Sequence, residues 1–241
     1  MSYYYQHEDT WTWDLQDINS HTTWVDEKTR RTVILHPNWS KGAAGIRGTR
    51  TLNHGRYYWE LNTTRRTTGT SVQFGIGTKQ ARTHHEEFVD LMGNDENSWA
   101  LSHRGLIFHG GVVYKYTDAL IESSKTIKIG VEFDGIAGTL GFYKDGEYLG
   151  IAFHGLQHVK EPLYPMVSST ALRTKITLEL ARQDYIHLKD MCRASIIQHM
   201  TQADLDAILL PVSIKEYIDE AMKRVKCTPF SRCRYYALNF D

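Results

Sequence analysis

The spacing of apolar residues along the 241-residue chain changes once, close to Asp184. Between Trp11 and about Arg182, apolar residues recur mostly at every second position, in short runs that Gly, Asn, Asp and Thr interrupt. This period is typical of β-strands that bury one face. After Asp184 the apolar residues recur three and four positions apart, which is the period of an α-helical stripe. The sequence therefore predicts a mainly β fold, an antiparallel β-sandwich followed by a small three-helix region.

The clearest strand signals in the first part of the chain lie in residues 56–62, 71–77 and 175–180. Each of these strands is predicted to bury one face and expose the other. The Asp145-Gly146 pair stands between two apolar runs. It predicts a tight β-hairpin, because these residues tolerate the positive φ angles of such a turn. Residues 134–138 predict a second chain reversal.

The first predicted helix carries Leu188, Cys192 and Ile196 along one stripe. We assign no group of His, Lys or Arg side chains to the surroundings of Cys192. We therefore interpret Cys192 as a small buried apolar residue rather than a nucleophile. Thr201 is predicted to cap a second helix, and Pro211 is predicted to end it.

A third helix is predicted from Ser213 and Glu216, which have the spacing of a capping box. Helices this short cannot bury much surface by themselves. Their apolar stripes must therefore pack against the sandwich, a partner or both. The apolar residues predicted on the second and third helices are Leu205, Ile208, Leu209, Tyr217, Ile218 and Met222.

Charge and composition exclude several classes of protein. The chain has 28 Lys and Arg against 28 Asp and Glu, so no overall positive field favours nucleic acid or an anionic membrane. Its three cysteines are too few for a disulfide scaffold and favour a reducing compartment. The first residues lack a signal-peptide pattern, and no run approaches the roughly 18 apolar residues of a membrane span. We therefore expect a cytoplasmic or nuclear protein that does not bind a membrane.

The sequence offers no catalytic motif, and we expect neither an enzyme nor a cofactor. It lacks the glycine-rich phosphate loops, the nucleophile elbow and the zinc-protease helix. Two histidine groups are candidate metal sites by their residue types, residues 84–87 and the pair His154 and His158. Adjacent side chains diverge in the first group, and the second lies in a loop-like stretch, so we interpret both as solvated loop histidines.

Several runs resemble the SPRY (B30.2) domain. They are residues 57–61, 97–101, 133–142, 146–153 and 163–168, in the order that the domain has them. Residues 188–196 resemble the elongin-binding box, which has Leu, three residues, Cys, three residues and an aliphatic residue. The combination resembles the SPRY domain-containing SOCS box family. His36-Pro37 and residues 91–99 and 164–171 are most like its third member.

The resemblance implies three segments and a non-catalytic function. Residues 1–183 would form the SPRY substrate-recognition sandwich, residues 184–222 the SOCS box, and residues 223–241 a basic tail. The chain would recruit a target carrying a short degron to a cullin-RING ubiquitin ligase for degradation. The alternative is a SPRY scaffold that binds a peptide or RNA without ubiquitin transfer, its helices being only structural.

The resemblance also assigns the ligase-binding residues. Elongin C, in complex with elongin B, would contact the stripe of the first helix, at Leu188, Met191, Cys192 and Ile196. The cullin, with its RING protein, would contact Leu210, Pro211 and Val212. Ser213 stands where the family's cullin box has its last Pro. Because Leu210, Pro211 and Val212 match the rest of that box, cullin-5 is the first choice, and the departure at Ser213 leaves cullin-2 or weaker recruitment as the alternative.

Target binding would use loops at one end of the sandwich, which in this family hold a short Asn-containing segment. The matching residues here are His36, Asn38, Ser40, Phe88, Leu91, Asn94, Thr170 and Ala171. Better-known members have Arg and Pro at the positions of His36 and Asn38, and Trp at that of Ala171. Because a Trp anchor often dominates binding, we expect a site in the same location with a different specificity.

Overall fold

The computed structural model describes residues 6–19, 21–53, 55–63, 71–120, 126–184, 192, 196–197 and 199–226. Within these residues the chain forms fifteen strands and two α-helices, here numbered in chain order, and two short 3₁₀-helices, Leu15–Asp17 and Leu156–His158. The strands are β1 (Gln6–Glu8), β2 (Thr23–Val25), β3 (Thr32–Leu35), β4 (Ala43–Arg47), β5 (Arg56–Thr63), β6 (Val72–Gly77), β7 (His84–His85), β8 (Ser98–Ser102), β9 (Leu106–His109), β10 (Val112–Lys115), β11 (Ile127–Asp134), β12 (Thr139–Lys144), β13 (Glu147–Phe153), β14 (Tyr164–Ser169) and β15 (Thr174–Asp184). The helices are α1 (Gln202–Ala207) and α2 (Val212–Lys226).

The strands form two antiparallel sheets, which confirms the predicted sandwich. One sheet has eight strands in the order β13-β12-β11-β5-β15-β3-β2, with β1 paired to β15. The other has seven in the order β10-β9-β8-β6-β14-β4-β7. Apolar side chains from both sheets form one continuous cluster. Trp11 packs edge-on against Trp59 in this cluster, with ring centroids 6.2 Å apart.

Strand β5 alternates in burial along its whole length, as the period of two predicts. Strand β6 is buried on both faces, so the prediction that it exposes one face is wrong. The reason lies in the segment between β7 and β8. Its Met92 exchanges two hydrogen bonds with the buried Gln73 amide, each 2.9 Å long. Met92 also packs with Ala81, Ala100 and Met166, so this segment covers β6 from outside.

Both predicted chain reversals are present. Asp145 and Gly146 have φ angles of 50° and 89° between β12 and β13. At the second reversal, the Asp134 carboxylate accepts hydrogen bonds from the backbone N–H groups of Ile136 and Ala137, both 2.9 Å long. Such local acceptors stabilise turns that a sequence pattern marks.

Much of the first predicted helix lies outside the described residues, including Leu188 and Met191. Cys192, Ile196 and residues 197 and 199 have helical backbone. Cys192 is exposed, so the interpretation of this residue as buried within the chain is wrong. Among the residues that the structure describes, no side chain buries Cys192.

The predicted cap of α1 is confirmed, and its predicted end is wrong. The Thr201 side chain accepts from Asp204 N, and the Asp204 carboxylate accepts from Thr201 N, which completes a capping box. The helix ends at Ala207, because Ile208 already has an extended backbone (φ −79°, ψ 135°). Ile208 and Leu209 therefore follow α1 and do not lie on it.

The predicted capping role of Ser213 is wrong, because α2 begins one residue earlier. The Pro211 carbonyl oxygen accepts from the N–H groups of Ile214 and Lys215, at 3.0 and 3.1 Å. Ser213 therefore lies within the first turn. The helix continues through Lys226, beyond the boundary predicted at residue 222. No helix of the described chain is long and apolar enough to span a membrane.

Candidate functional site

Three loops meet at one end of the sandwich, and we call residues 36–42, 86–91 and 170–173 the loop surface. Three hydrogen bonds join the first and third loops, and a fourth joins the first loop to Ser169 at the end of β14. His36 Nε2 donates to the Ser169 carbonyl oxygen at 3.0 Å, and Ser40 Oγ donates to that of Thr170 at 2.5 Å. Arg173 donates from N to the His36 carbonyl oxygen (2.9 Å) and from Nε to that of Pro37 (3.1 Å).

His36 and Arg173 both have left-handed backbones, with φ angles of 53° and 54°. Such conformations are costly for residues other than Gly and persist where the surroundings hold them. Here the two residues are hydrogen-bonded to one another, as described above. The first and third loops are therefore held in a fixed relative position.

Ser71 connects the second loop to the third. Its N–H donates to Thr170 Oγ1 at 2.9 Å, and its hydroxyl donates to Asp90 Oδ1 at 2.5 Å. Arg104 donates to the other oxygen of the Asp90 carboxylate at 2.8 Å. The second loop is thus anchored at Asp90 next to the third.

The first and second loops touch through their backbones at Gly42. A Cβ atom added to Gly42 would lie 2.1 Å from the His85 carbonyl oxygen, and its φ of +78° also favours Gly. Gly45 in β4 plays a similar part, since an added Cβ would lie 3.1 Å from Leu91 Cδ2. Leu91 is buried at this contact.

The predicted target-binding residues divide by exposure. Asn38 and Phe88 are exposed, Phe88 by 57%. Ser40 is partly buried. The side chains of His36, Leu91, Thr170 and Ala171 are buried. Buried side chains can shape the loop surface, but in this conformation they do not present a surface to a partner.

Asn94 lies away from the other predicted residues. Its neighbour Gly93 accepts a hydrogen bond from the N–H of Gly111 (2.9 Å) in the turn between β9 and β10, and donates to Ser98 Oγ (2.8 Å). Ser98 pairs with Gly77, at the end of β6 opposite Val72. The loop surface gathers at the Val72 end, so Asn94 is exposed at the other end of this sheet.

Two exposed apolar residues of the loop surface are not among the predicted target-binding residues. Trp39 is 61% exposed in the first loop, with Lys41 Nζ 5.6 Å from its ring centroid, and Leu172 is 43% exposed in the third. An aromatic residue between Asn38 and Ser40, both typical of turns, was a signal for Trp39. No sequence signal distinguished Leu172.

Burial lowers the pKa of two histidines at this end of the sandwich. Burial is the first cause for His36, which the nearby His84 reinforces and the bond to Ser169 opposes. Burial is also the first cause for His103, followed by the charge of Arg104. Both imidazoles are therefore favoured in the neutral form.

The helical region, residues 192–226, leaves large apolar side chains uncovered. Its buried cluster consists of Leu205, Ile218 and Met222, against which Ile197, Met200 and Leu210 pack. The exposed apolar side chains are Ile196 (37%), Ile208 (39%), Leu209 (100%), Val212 (70%) and Ile214 (44%). Of the predicted cullin residues, Leu210 is thus partly buried, whereas Pro211 and Val212 are exposed.

Within the described part of the chain, no three His, Cys, Asp or Glu side chains are grouped so that they could hold a metal ion. His84 and His85 are partly buried in β7, and Glu86 and Glu87 are exposed. His85 Nδ1 accepts a hydrogen bond from Glu87 N at 3.0 Å.

Comparison with known proteins gives a family match at the sequence level. The SPRY domain model matches residues 56–182. The protein gustavus of Drosophila melanogaster is 31% identical over 224 residues, covering 86% of this chain and 78% of that protein. SPRY domain-containing SOCS box protein 3 of Xenopus tropicalis is 32% identical over 212 residues, covering 86% of this chain and 57% of that protein. The chain belongs to the SPRY domain-containing SOCS box proteins.

This family membership confirms the resemblance inferred from the motifs, including the similarity to the third member. The chain of this SPRY domain-containing SOCS box protein spans 57% and 58% of the length of the two frog relatives. Solved structures agree on the fold. The TRIM65 PSpry domain is 20% identical, with a TM-score of 0.56 over 70% of this chain and 90% of that chain. The SPRY domain of human HERC1 is 18% identical, with a TM-score of 0.52 over 69% and 96%.

Proposed function

We propose that this chain is the substrate-recognition subunit of an elongin B/C cullin-RING ubiquitin ligase. The loop surface binds a short Asn-containing degron of a target protein. The proposed SOCS box of residues 184–222, which overlaps the helical region, binds elongin C and a cullin, with cullin-5 preferred over cullin-2. The chain brings the target to the ligase in the cytoplasm or nucleus and performs no chemistry itself.

One observation carries this proposal: the helical region leaves several large apolar side chains exposed beside its small buried cluster. Leu209 is fully exposed and Val212 is 70% exposed, a few residues apart in sequence. Clustered exposed apolar side chains in a soluble protein mark an interaction surface. Leu209 directly precedes the segment that the family resemblance assigns to cullin binding, and Val212 belongs to that segment.

The family resemblance assigns the elongin contact, and the spacing of the residues on a helix supports it. Leu188 and Cys192 are four residues apart, so on a helix their side chains lie on the same face and one pocket can take both. Burying a Leu side chain contributes about 1.5–3 kcal/mol. Leu188 lies outside the described residues, and Cys192 is exposed, as a contact residue of the unbound chain should be.

The cullin contact would lie at the start of α2. Leu210 packs on the apolar cluster of the helical region and thereby fixes the segment, while Pro211 and Val212 stay exposed for a partner. Ser213 replaces the family's last Pro and lies in the first turn of α2. A Ser there removes one apolar contact without breaking the helix, which is why we retain cullin-5 as the partner.

Target recognition combines polar and apolar groups on the loop surface. The Asn38 amide can pair with backbone groups of an extended peptide, and Phe88 offers an apolar wall. Trp39 and Leu172 add apolar area from the first and third loops. His36, Thr170 and Ala171 hold the loops in position from below.

Co-purification with elongins B and C tests the ligase assignment. We expect the native chain to retain both elongins, and the double variant Leu188→Ala with Cys192→Ala to lose them. The control is Trp24→Ala, which removes an exposed apolar side chain from β2 of the sandwich and should retain the elongins. Retention by the double variant would overturn the helix assignment.

Thermal melting distinguishes the proposal from a scaffold without ubiquitin transfer. A partner that binds only the folded chain raises its melting temperature through binding linkage. Elongin B/C should therefore raise the melting temperature if the SOCS box is functional, and leave it unchanged if the helices are only structural.

A tiled peptide library, with Asn38→Ala and Phe88→Ala as variants, tests the loop surface. Unchanged binding of every hit would contradict the loop assignment.

A further inference from the structure

His36, in the first loop, is a fully buried imidazole with one hydrogen bond. Its Nε2 lies 3.0 Å from the Ser169 carbonyl oxygen, and a carbonyl oxygen can only accept. Nε2 therefore carries the proton, and Nδ1 is the bare nitrogen of the neutral ring. Nδ1 is buried and has no hydrogen-bond partner among the described residues. A second proton on this ring would place a buried charge where nothing accepts it.

His103, after β8, also depends on a bare ring nitrogen. Its Nδ1 accepts the backbone N–H of Val72 at 3.1 Å, while its own backbone N–H donates to the Val72 carbonyl oxygen at 2.8 Å. Protonation of Nδ1 would turn this acceptor into a donor that faces another donor. The hydrogen bond at the start of β6 would then be lost.

The two imidazoles hold the same end of the sandwich from opposite sides. Val72 follows Ser71, whose N–H and carbonyl oxygen are both bonded to Thr170. Thr170 follows Ser169, to which His36 is bonded. His36 and His103 are thus the two ends of one hydrogen-bonded network that runs beneath the loop surface.

Taken together, the charged and titratable groups around each imidazole do not favour the protonated form of that ring. His36 faces His84 of β7, whose own Nδ1 is buried without a partner among the described residues, and Arg173 bonds to the backbone of His36. His103 is near Arg104 and Asp90. The Asp90 carboxylate would favour a charged ring, but it is already engaged by Arg104 and by a serine hydroxyl.

We propose that the loop surface is a pH-sensitive recognition element, in which protonation of His36 and His103 releases its loops and ends target binding. The proposal rests on the proposed function only in taking the loop surface as the target site. The release itself follows from the hydrogen bonds of the two rings.

The direction of the effect follows from linkage. Both histidines have a folded pKa below the ordinary value of 6.5. The opened loops therefore bind protons more tightly, and the closed form loses stability as the pH falls below that value. One such histidine can raise the open population by up to about tenfold one pH unit below its ordinary pKa. Above pH ~7.5 the effect is absent.

Amide hydrogen exchange of the full chain at pH ~7.5 and ~5.5, corrected for the intrinsic pH dependence of exchange, tests this proposal. The reporters are the N–H groups of Val72, Thr170 and Arg173, each a donor within the network. We expect their protection to fall at the lower pH, by up to about tenfold for each histidine that is protonated on opening. Protection in the paired strands β11 and β12 should stay constant.

Two conservative substitutions assign the effect to the rings. His36→Gln keeps a side-chain N–H donor, His103→Asn keeps a side-chain acceptor, and neither titrates. The double variant should lose the pH dependence, while the control His21→Gln, at an exposed site, should keep it. A double variant that is as pH-dependent as the native chain, or native reporters equally protected at both pH values, would overturn the proposal.

The native chain provides a test that needs no variant, should the double variant not fold. An NMR titration follows both imidazoles and the three reporter amides. Both rings should titrate below pH 6.5, in step with loss of protection. Titration of His103 without a change at the Val72 amide, or of His36 without a change at the Arg173 amide, would contradict the proposal. Elongin B/C co-purification does not involve these histidines, so the proposed function and this inference can fail separately.

Discussion

The sandwich and the helical region differ most in how completely they cover their apolar side chains. In the sandwich, rings such as Trp59 and Phe133 are 1% exposed within a cluster drawn from both sheets. In the helical region, three buried residues stand against a fully exposed Leu209. The sandwich buries its apolar side chains as an independently folded domain does. The helical region leaves apolar side chains exposed, as one side of a protein–protein interface does before the partner binds. The difference indicates which region needs a partner.

Polar groups show the same contrast. In the sandwich, Arg47 is buried and donates to two backbone carbonyl oxygens, those of Thr78 and Ala81, while also pairing with Asp17. Such bonds connect distant parts of the chain and fix one arrangement. In the helical region, the Thr201 cap stabilises only its own helix. Gln202 of α1 also donates to Asp219 Oδ1 of α2 at 3.1 Å, so the described polar contacts of this region connect its two helices with one another, whereas those of Arg47 connect distant parts of the sandwich.

The largest predicted effect tests the self-sufficiency of the sandwich. Trp59→Ala removes a ring that both sheets enclose, and we expect the free energy of unfolding to fall by about 3–5 kcal/mol. Chemical denaturation followed by circular dichroism measures this change. Trp39→Ala, at an exposed loop position, should change it by less than about 0.5 kcal/mol. Equal effects of the two substitutions would remove the contrast between core and surface.

The second predicted effect tests whether the helical region unfolds separately. Leu205→Ala empties the centre of its small cluster, and we expect the free energy of opening α1 and α2 to fall by about 2 kcal/mol. Hydrogen exchange measures this locally. Protection of β5 and β11 should not change, because the cluster contains no side chain from the sandwich. A matching loss in the strands would mean that the two regions form one cooperative unit.

How much of the fold the sequence could predict depends on whether the signal is local. The Asp145-Gly146 hairpin and the Thr201 cap follow from residues that bond with near neighbours, and both are confirmed. The burial of β6 on both faces could not be predicted. It depends on Gln73 and Met92, which lie 19 positions apart and meet only in the folded chain.

The candidate site divides in the same way. The motif order pointed to the loops around His36 and Ala171, and the structure places both in one loop surface. It could not reveal that these two side chains are buried while Trp39 is exposed, because exposure depends on the packing of three separate loops. Nor could it place Asn94 at the other end of the sheet, since that follows from the pairing of β8 with β6.

A smaller effect is expected at the cap of α1. Thr201→Ala removes the hydroxyl that accepts from the start of this helix, and such a loss typically costs about 1 kcal/mol. Hydrogen exchange of the α1 amides measures it. Thr201→Ser is the matched control, because it keeps the hydroxyl. If both variants lose the same stability, the methyl group of Thr201 stabilises the helix by packing, and the capping hydrogen bond does not.

The smallest effect concerns the most exposed apolar residue and sharpens the comparison most. Leu209 is 100% exposed, so Leu209→Ser removes no packing within the chain. We expect the free energy of unfolding to change by less than about 0.5 kcal/mol, while self-association, measured by analytical ultracentrifugation, decreases because an apolar surface has been made smaller. Leu205→Ala, four residues earlier in the sequence, supplies the contrasting loss of stability. A cost above about 1 kcal/mol for Leu209→Ser would mean that the chain covers this side chain itself, and the helical region would then need no partner to complete its burial.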